Sequence, residues 1–227
     1  MTTSGSTDFT LNAADVVRFA LKKLRVTRSP SAADMSDGIQ SLNLMLKTWQ
    51  MTGPNLWRAT EGSVNLVANQ AAYTTGDVAK AFRIISARFT QSGRDLPMEV
   101  MTREEYRDLP YKTTTGIPTQ YYFDPQRDGG TLYVWPVIAA IPNAETISFT
   151  YQRRFEDIDA IGNSLDIPQE WLETVGYSLA ARLVGDYSPA ADAVSHVMGM
   201  SQVLLQAAHS ADREPVVRIE PERRWGR

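Results

Sequence analysis

Histidines are the first side chains to consider, because they bind metals and transfer protons near neutral pH. The chain has two, His196 and His209, and they lie thirteen residues apart. Two metal ligands on one helix are usually separated by about four residues. The chain also has no cysteine that could complete a thiolate site. The sequence therefore predicts no metal site and no cofactor.

Carboxylates that lie close together are the next candidates, since two of them can hydrolyse a glycosidic bond when one sits in an apolar pocket. Glu104 and Glu105 stand at the predicted start of a short helix, where the helix dipole favours acids. A second group, in a predicted loop, consists of Glu156, Asp157, Asp159 and Asp166. Nothing in their spacing predicts such a pocket, so we expect no catalytic residue and no enzyme.

The sequence has few loops or basic pairs that could bind phosphate. Gly129-Gly130 lacks the Lys-Ser/Thr of a P-loop and the spaced glycines of a dinucleotide motif. No Gly-x-Ser-x-Gly elbow occurs. Arg153-Arg154 and Arg223-Arg224 could contact phosphates. Acids flank both pairs, which favours solvated or protein-facing arginines.

Aromatic residues cluster in the middle of the chain. Platforms for single-stranded nucleic acid combine such rings with a basic groove, and the sequence shows no such groove. The net charge of -3, from 23 basic and 26 acidic residues, also argues against a dedicated nucleic-acid binder. We therefore predict that the rings fill the core of a sheet: Tyr121, Tyr122, Phe123, Tyr133 and Trp135.

Apolar spacing predicts helices at both ends of the 227-residue chain. The first runs over 10–26 with Asn12 as its N-cap. The second begins near Ser31 and Asp34, which resemble a capping arrangement, and ends before Gly53-Pro54. Two more helices follow Pro168 and Pro189. The predicted core of this helical bundle consists of Met35, Ile39, Leu42, Leu46, Trp49, Trp171, Leu179 and Leu183.

The region between the helix pairs reads as strands. Alternating apolar residues and turn residues favour strands at 64–66, 81–90, 119–123, 131–135 and 146–151. Thr102 and Glu105 form a capping-box pattern for one short helix. The fold class we predict is α+β: a four-helix unit formed by the N- and C-terminal helix pairs, with an inserted antiparallel β domain and an extended C-terminal tail. The predicted bounds are 1–57 with 168–211 for the bundle, 58–167 for the β domain and 212–227 for the tail.

The last sixteen residues mix charges with apolar side chains, and two prolines favour an extended conformation. No apolar run approaches the roughly 20 residues that span a bilayer, and the N-terminus lacks the features of a signal peptide. We therefore expect a protein that is made and assembled inside a cell, without a membrane partner.

The order of several short motifs resembles that of head-to-tail adaptors of tailed bacteriophages, also called connectors, tail accessory factors or packaged-DNA stabilisation proteins. The stretch 38–49, GIQSLNLMLKTW, with Gly53 and Leu56-Trp57, is similar to that family's "L..LN.ml..W...G..lW" pattern. Further similar segments follow in order, at Ala72-Tyr73-Thr74, Gly116-Ile117-Pro118 with 121–125, Leu132 to Pro136, and Pro168 to Trp171. Thr75 stands where the family pattern has leucine.

The resemblance implies a structural virion protein of the head–tail neck, assembled in the host bacterial cytoplasm. Such proteins form rings, usually of twelve subunits, under the portal protein. They help to retain packaged DNA, which passes through the lumen as a double strand without sequence recognition, and they provide the platform for the next tail or nozzle protein. The C-terminal segment would grip the portal, through Arg213, Val216, Val217, Ile219, Arg223, Arg224 and Trp225.

Two alternatives remain open from the sequence. The first is a virion-associated peptidoglycan-degrading enzyme that would use the acids of the second carboxylate group. The second is another neck or tail-tube component.

Overall fold

A computed structural model describes residues 5–26, 28–52, 56–140 and 145–212. The chain divides into two compact units. A helical unit takes the residues up to 56 and those from 157 onward, and a sheet unit takes residues 57–156. Among the described residues, no helix has both the length and the apolar character needed to cross a membrane.

The helical unit contains four long helices, and one of them contacts the other three. They are α1 Ala13–Lys23, α2 Ala32–Thr52, α5 Leu172–Tyr187 and α6 Ala191–Ala211. Helix α5 packs against α1, α2 and α6, and nine of its sixteen residues are buried. Asn12 accepts a hydrogen bond from the backbone N–H of Asp15, so it caps α1 as predicted.

Close approach between α1 and α2 depends on a glycine. A Cβ atom at Gly38 would lie 2.5 Å from Cγ1 of Val17, which is closer than two carbon atoms can pack. The glycine therefore lets the two helices approach at this point, where Val17 is fully buried.

The sheet unit is built on seven strands in the order β1-β7-β3-β4-β5-β6-β2. The strands are β1 Ala59–Asn65, β2 Ala72–Tyr73, β3 Ala81–Gln91, β4 Arg94–Val100, β5 Gln120–Gln126, β6 Gly129–Trp135 and β7 Thr146–Arg153. Two short helices are interspersed, α3 Asp77–Lys80 and α4 Arg103–Asp108.

Period-two alternation places the apolar side chains of the sheet. In β7, Ile147, Phe149 and Tyr151 are buried, as the alternation in the sequence predicts. In the β5–β6 hairpin, which is also as predicted, Leu132 and Val134 lie in the main core. Alternate residues such as Tyr133 lie on the opposite face, where α4 covers them. The aromatic residues of this hairpin thus divide between the two faces.

The predicted fold class is wrong in its arrangement, although α+β holds. The sheet is not a small antiparallel insertion carried by a four-helix unit: it has seven strands and is mixed. Strands β4 and β5 pair in parallel, with Glu99 opposite Gln120 and Val100 opposite Tyr121. Parallel neighbours need a crossover, and the segment containing α4 supplies it. Residues 94–100 were not among the predicted strands, and alternation does not identify the partner of a strand, so the sequence did not show this pairing.

Candidate functional site

The structure describes the histidines, the acids and Arg154 that were singled out for chemistry, whereas Arg223 and Arg224 lie outside the described residues. Among the described residues, no three or more histidine or acidic side chains are placed to hold a metal ion. His196 lies edge-on to the ring of Tyr177 at 6.0 Å, and His209 lies edge-on to Trp171 at 5.7 Å. Both histidines therefore pack against aromatic rings within the helical unit.

The second carboxylate group lies at the surface. Asp157 forms an ion pair with Lys47, with 2.5 Å between Oδ1 and Nζ, and Glu156 and Asp159 are exposed. Asp166 is half-buried. A glycosidase needs one protonated carboxyl in an apolar pocket, and exposed acids next to a lysine lack such surroundings.

The Arg154 side chain binds backbone carbonyl groups of the sheet unit. Its guanidinium donates hydrogen bonds to the carbonyl oxygens of Gln126, Arg127 and Gly129, at 2.8, 2.7 and 3.3 Å. These carbonyls form the turn between β5 and β6. The arginine therefore stabilises the hairpin and is not directed at a phosphate.

Arg58 is a buried charge that sequence reasoning missed. It is fully buried, and its Nε and Nη2 atoms donate to the carbonyl oxygen of Arg153 at 3.0 and 2.6 Å. Its guanidinium lies 4.6 Å from the ring centroid of Phe155. The two hydrogen bonds hold Arg58, which precedes β1, against the last residue of β7. A single arginine after Leu56-Trp57 carries no sequence signal for this role.

Asp34 connects three segments of the helical unit. Its carboxylate accepts hydrogen bonds from Arg28 at 2.8 Å, from the backbone N–H and hydroxyl of Ser31 at 2.7 Å each, and from the hydroxyl of Tyr187 at 2.8 Å. The hydrogen bonds from Arg28 and Ser31 hold the pKa of Asp34 far below its ordinary value. Burial, followed by the hydrogen bond to Asp34, raises the pKa of Tyr187 to about 12. The predicted capping arrangement at the start of α2 is confirmed, since Ser31 Oγ also accepts from the N–H of Asp34 at 3.2 Å.

Asn43, the asparagine of the Leu-Asn motif, binds backbone. Its amide donates to the carbonyl oxygen of Ile158 and accepts from the N–H of Ile158, both at 3.0 Å. This two-point contact holds the segment that follows Asp157 against α2. The motif asparagine therefore has a structural role.

The predicted bundle residues lie where α2 and α5 pack. Met35, Leu42, Leu46, Trp171, Leu179 and Leu183 are buried, whereas Ile39 and Trp49 are half-buried. The rings of Trp49 and Trp171 meet edge to face with 5.8 Å between centroids. The predicted portal-binding residues of the tail lie outside the described residues: Arg213, Val216, Val217, Ile219, Arg223, Arg224 and Trp225.

A cavity of about 260 Å³ opens beside α4 in the sheet unit. Three tyrosine rings border it: Tyr122 and Tyr133, paired across β5 and β6, stack with 5.7 Å between centroids, and Tyr106 of α4 lies 4.8 Å from Tyr133. Thr102 begins α4 with the predicted capping box, which is confirmed. We name this cavity the α4 pocket; its lining is Arg103, Tyr106, Arg107, Lys112, Tyr122, Asp124 and Tyr133.

Hydrogen bonds fix one side of the α4 pocket. Arg103 donates from Nε to the hydroxyl of Tyr122 at 2.8 Å and forms an ion pair with Asp124. Burial raises the pKa values of Tyr106 and Tyr122, so both hydroxyls stay protonated at neutral pH. On the other side, Lys112 donates to the carbonyl oxygens of Arg107 and Leu109, and its Nζ lies 5.4 Å from the Tyr106 centroid.

Comparison with known proteins finds similarity among solved structures. No protein-family model matches the chain, and no curated protein matches its sequence. Among solved structures, the chain is similar to a chain of the "Neck of empty GTA particle computed with C6 symmetry", where GTA denotes a gene transfer agent. The identity is 11%, the TM-score is 0.27, and the match covers 78% of this chain and 83% of that chain. A TM-score of this size does not establish a shared fold, so the proposals below rest on this chain's own residues.

Proposed function

We propose that this chain is a structural protein of the head–tail neck of a tailed phage, an adaptor that forms a ring beneath the portal protein. It helps to retain packaged DNA and provides the platform for the next tail component, without turning over a substrate. The observation that carries the proposal is the ordered series of adaptor-like motifs between Ala13 and Ala208.

The motif residues act as scaffold, which supports a structural role. Leu42 and Leu46 are buried, Asn43 holds backbone, and Trp171 packs against Trp49. Because these side chains pack or form hydrogen bonds within the subunit, their spacing in the sequence reflects packing. A protein that works by assembly needs such a scaffold together with free outer surfaces.

The outer faces of two helices offer apolar surface to a second copy of the chain. On α2, Leu44 and Met51 are 59% and 72% exposed and lie seven residues apart, on the same side of the helix. On α6, Met198 and Val203 are 42% and 62% exposed, and only Ala193 and Val197 of its 21 residues are buried. Exposed apolar residues along a helix favour protein–protein contact. A ring closes when the same pair of different surfaces meets between each subunit and the next.

The C-terminal residues 212–227 are proposed to bind the portal. Three apolar residues and five arginines occur there, and Trp225 is of the type that commonly anchors an interface. The remaining proposed partners are neighbouring copies, a downstream tail or nozzle protein, and double-stranded DNA in the lumen. We place the protein in the virion neck.

Native mass measurement of the full chain, alone and with its portal, tests the proposal. We expect portal-dependent assembly into a ring, loss of docking when residues 212–227 are deleted, and an unchanged circular dichroism spectrum for the deletion variant. A chain that stays monomeric with the portal present refutes the adaptor function. A truncated chain that docks normally refutes only the assignment of the tail. Hydrolysis of peptidoglycan by the purified chain would favour the enzyme instead.

A further inference from the structure

Helix α4 separates its charges between two sides. Tyr106 and Arg107 follow Arg103 by three and four residues, so the three share a face, and all three line the α4 pocket. The three acids of the helix are absent from that lining: Glu104, Glu105 and Asp108. Glu105 accepts from the backbone N–H of Thr102 in the capping box. The helix therefore turns its basic side chains toward the cavity.

Two positive charges at the α4 pocket have no carboxylate partner within the part of the chain that the structure describes. Arg103 is neutralised by Asp124, the one acid of the lining. Arg107 is exposed and forms no ion pair with a described residue. Lys112 is bound only by two backbone carbonyls and lies above a tyrosine ring. The pocket consequently has an excess of two positive charges, although the whole chain is acidic.

The volume and the lining residues of the α4 pocket limit the class of ligand that can bind there. A volume of about 260 Å³ lies just below the roughly 300 Å³ at which drug-sized ligand sites begin. Tyrosine hydroxyls, arginine and lysine are the groups that bind phosphate oxygens in nucleic-acid complexes. The half-buried Tyr133 adds a ring against which a sugar or base can pack. This combination of groups fits one phosphorylated nucleotide unit.

We propose that the α4 pocket binds a nucleotide unit of a nucleic-acid strand, with its phosphate between Arg107 and Lys112. The proposal does not depend on the adaptor function, because it concerns the free chain and needs no portal. An acidic peptide would also be attracted by the two charges. An acidic peptide would not use the tyrosine surface, so we propose nucleic acid as the ligand.

Fluorescence anisotropy with a short labelled single-stranded DNA tests the proposal on the full chain. The pocket variant is Arg107→Gln with Lys112→Gln. The control is Arg83→Gln with Arg94→Gln, two exposed arginines of the same unit outside the pocket lining, which removes the same charge. We expect the pocket variant to weaken binding about tenfold and to reduce the slope of log K against log salt by about 0.7, which is the contribution of the one single-strand phosphate that the two side chains hold. The control should change affinity less than about twofold.

Two results would overturn the proposal: no binding of DNA by the unaltered chain, or equal weakening by the pocket and control variants. Lys112 also holds the end of α4, so Arg107→Gln alone serves as the second variant, because the exposed Arg107 side chain forms no ion pair with a described residue. It should lower the salt slope by less than the paired change does, with an unchanged melting temperature. A hexaglutamate peptide that displaces DNA from the unaltered chain, but not from the pocket variant, would support the α4 pocket as the binding site. Peptide binding without DNA binding would show that the partner is a protein and refute the proposal.

Discussion

The contact between Gly38 and Val17 allows a sharp test of how α1 and α2 pack. In Gly38→Ala the new Cβ atom would meet Cγ1 of Val17 at 2.5 Å and Cγ2 at 3.0 Å. Valine in a helix has one strongly preferred rotamer, so Val17 cannot turn its methyl groups away at small cost. Overpacking of this kind costs about 1–3 kcal/mol, whereas alanine gains about 1 kcal/mol over glycine inside a helix. We expect net destabilisation of about 1 kcal/mol.

Gly199 provides the matched control. It lies inside α6, and a Cβ atom there would meet nothing within 4 Å, so Gly199→Ala should stabilise the protein by about 1 kcal/mol. The difference between the two glycine substitutions isolates the steric cost. Urea unfolding followed by far-UV circular dichroism measures both free energies.

A double-mutant cycle with Val17→Ala then identifies the clashing atoms. In that background the γ-methyl groups are gone, and Gly38→Ala should become stabilising, like Gly199→Ala. The expected coupling free energy is about 1–3 kcal/mol. If Gly38→Ala stabilises the unaltered chain, or if Val17→Ala leaves its cost unchanged, then the helices do not meet at this glycine.

Three further outcomes follow from the polar contacts. Asn43→Ala leaves the backbone of Ile158 without its two hydrogen bonds and should destabilise the protein by about 1–3 kcal/mol in urea unfolding, whereas a value near zero would contradict the contact. Asp34 has a lowered pKa, so its stabilising contribution is present above about pH 4 and is lost as the pH falls below that value; the stability difference between the unaltered chain and Asp34→Asn should shrink between pH 7 and pH 2.5. A difference that does not change with pH would refute this. Arg58→Met removes two hydrogen bonds to the Arg153 carbonyl and should cost about 2 kcal/mol or more by the same assay, and a neutral effect would show that the charge is dispensable.

The helices were predictable from the sequence because their signals are local. The 4-3-4-3 spacing from Met35 to Trp49 identifies the inner side of α2, and two of its five residues, Ile39 and Trp49, are only half-buried. The capping box at Thr102 needs only residues three apart. Alternation from Ile147 to Tyr151 likewise gives the buried face of one strand without knowledge of its neighbours.

What the sequence could not provide depends on distant residues. The parallel β4–β5 pair joins residues about twenty positions apart, and β2 has only two residues. The α4 pocket was missed for the same reason. The rings of β5 and β6 were predicted to fill the core of the sheet, but Tyr122 and Tyr133 lie on the opposite face, beside α4. The basic side chains next to them come from α4 and from Lys112, a separate segment of the chain.

The polar residues of this protein show which side chains remain for binding. Asp34, Asn43 and Arg154 each bind backbone or close a local network. These hydrogen bonds hold the three side chains in place within the subunit, whereas Lys112 uses only two of its three N–H donors on backbone carbonyls. Arg107 differs from Arg88 and Arg103, which also line cavities, because it forms no ion pair with a described residue. The motif residues serve as scaffold, and α4 is therefore the place where we expect this chain to bind another molecule.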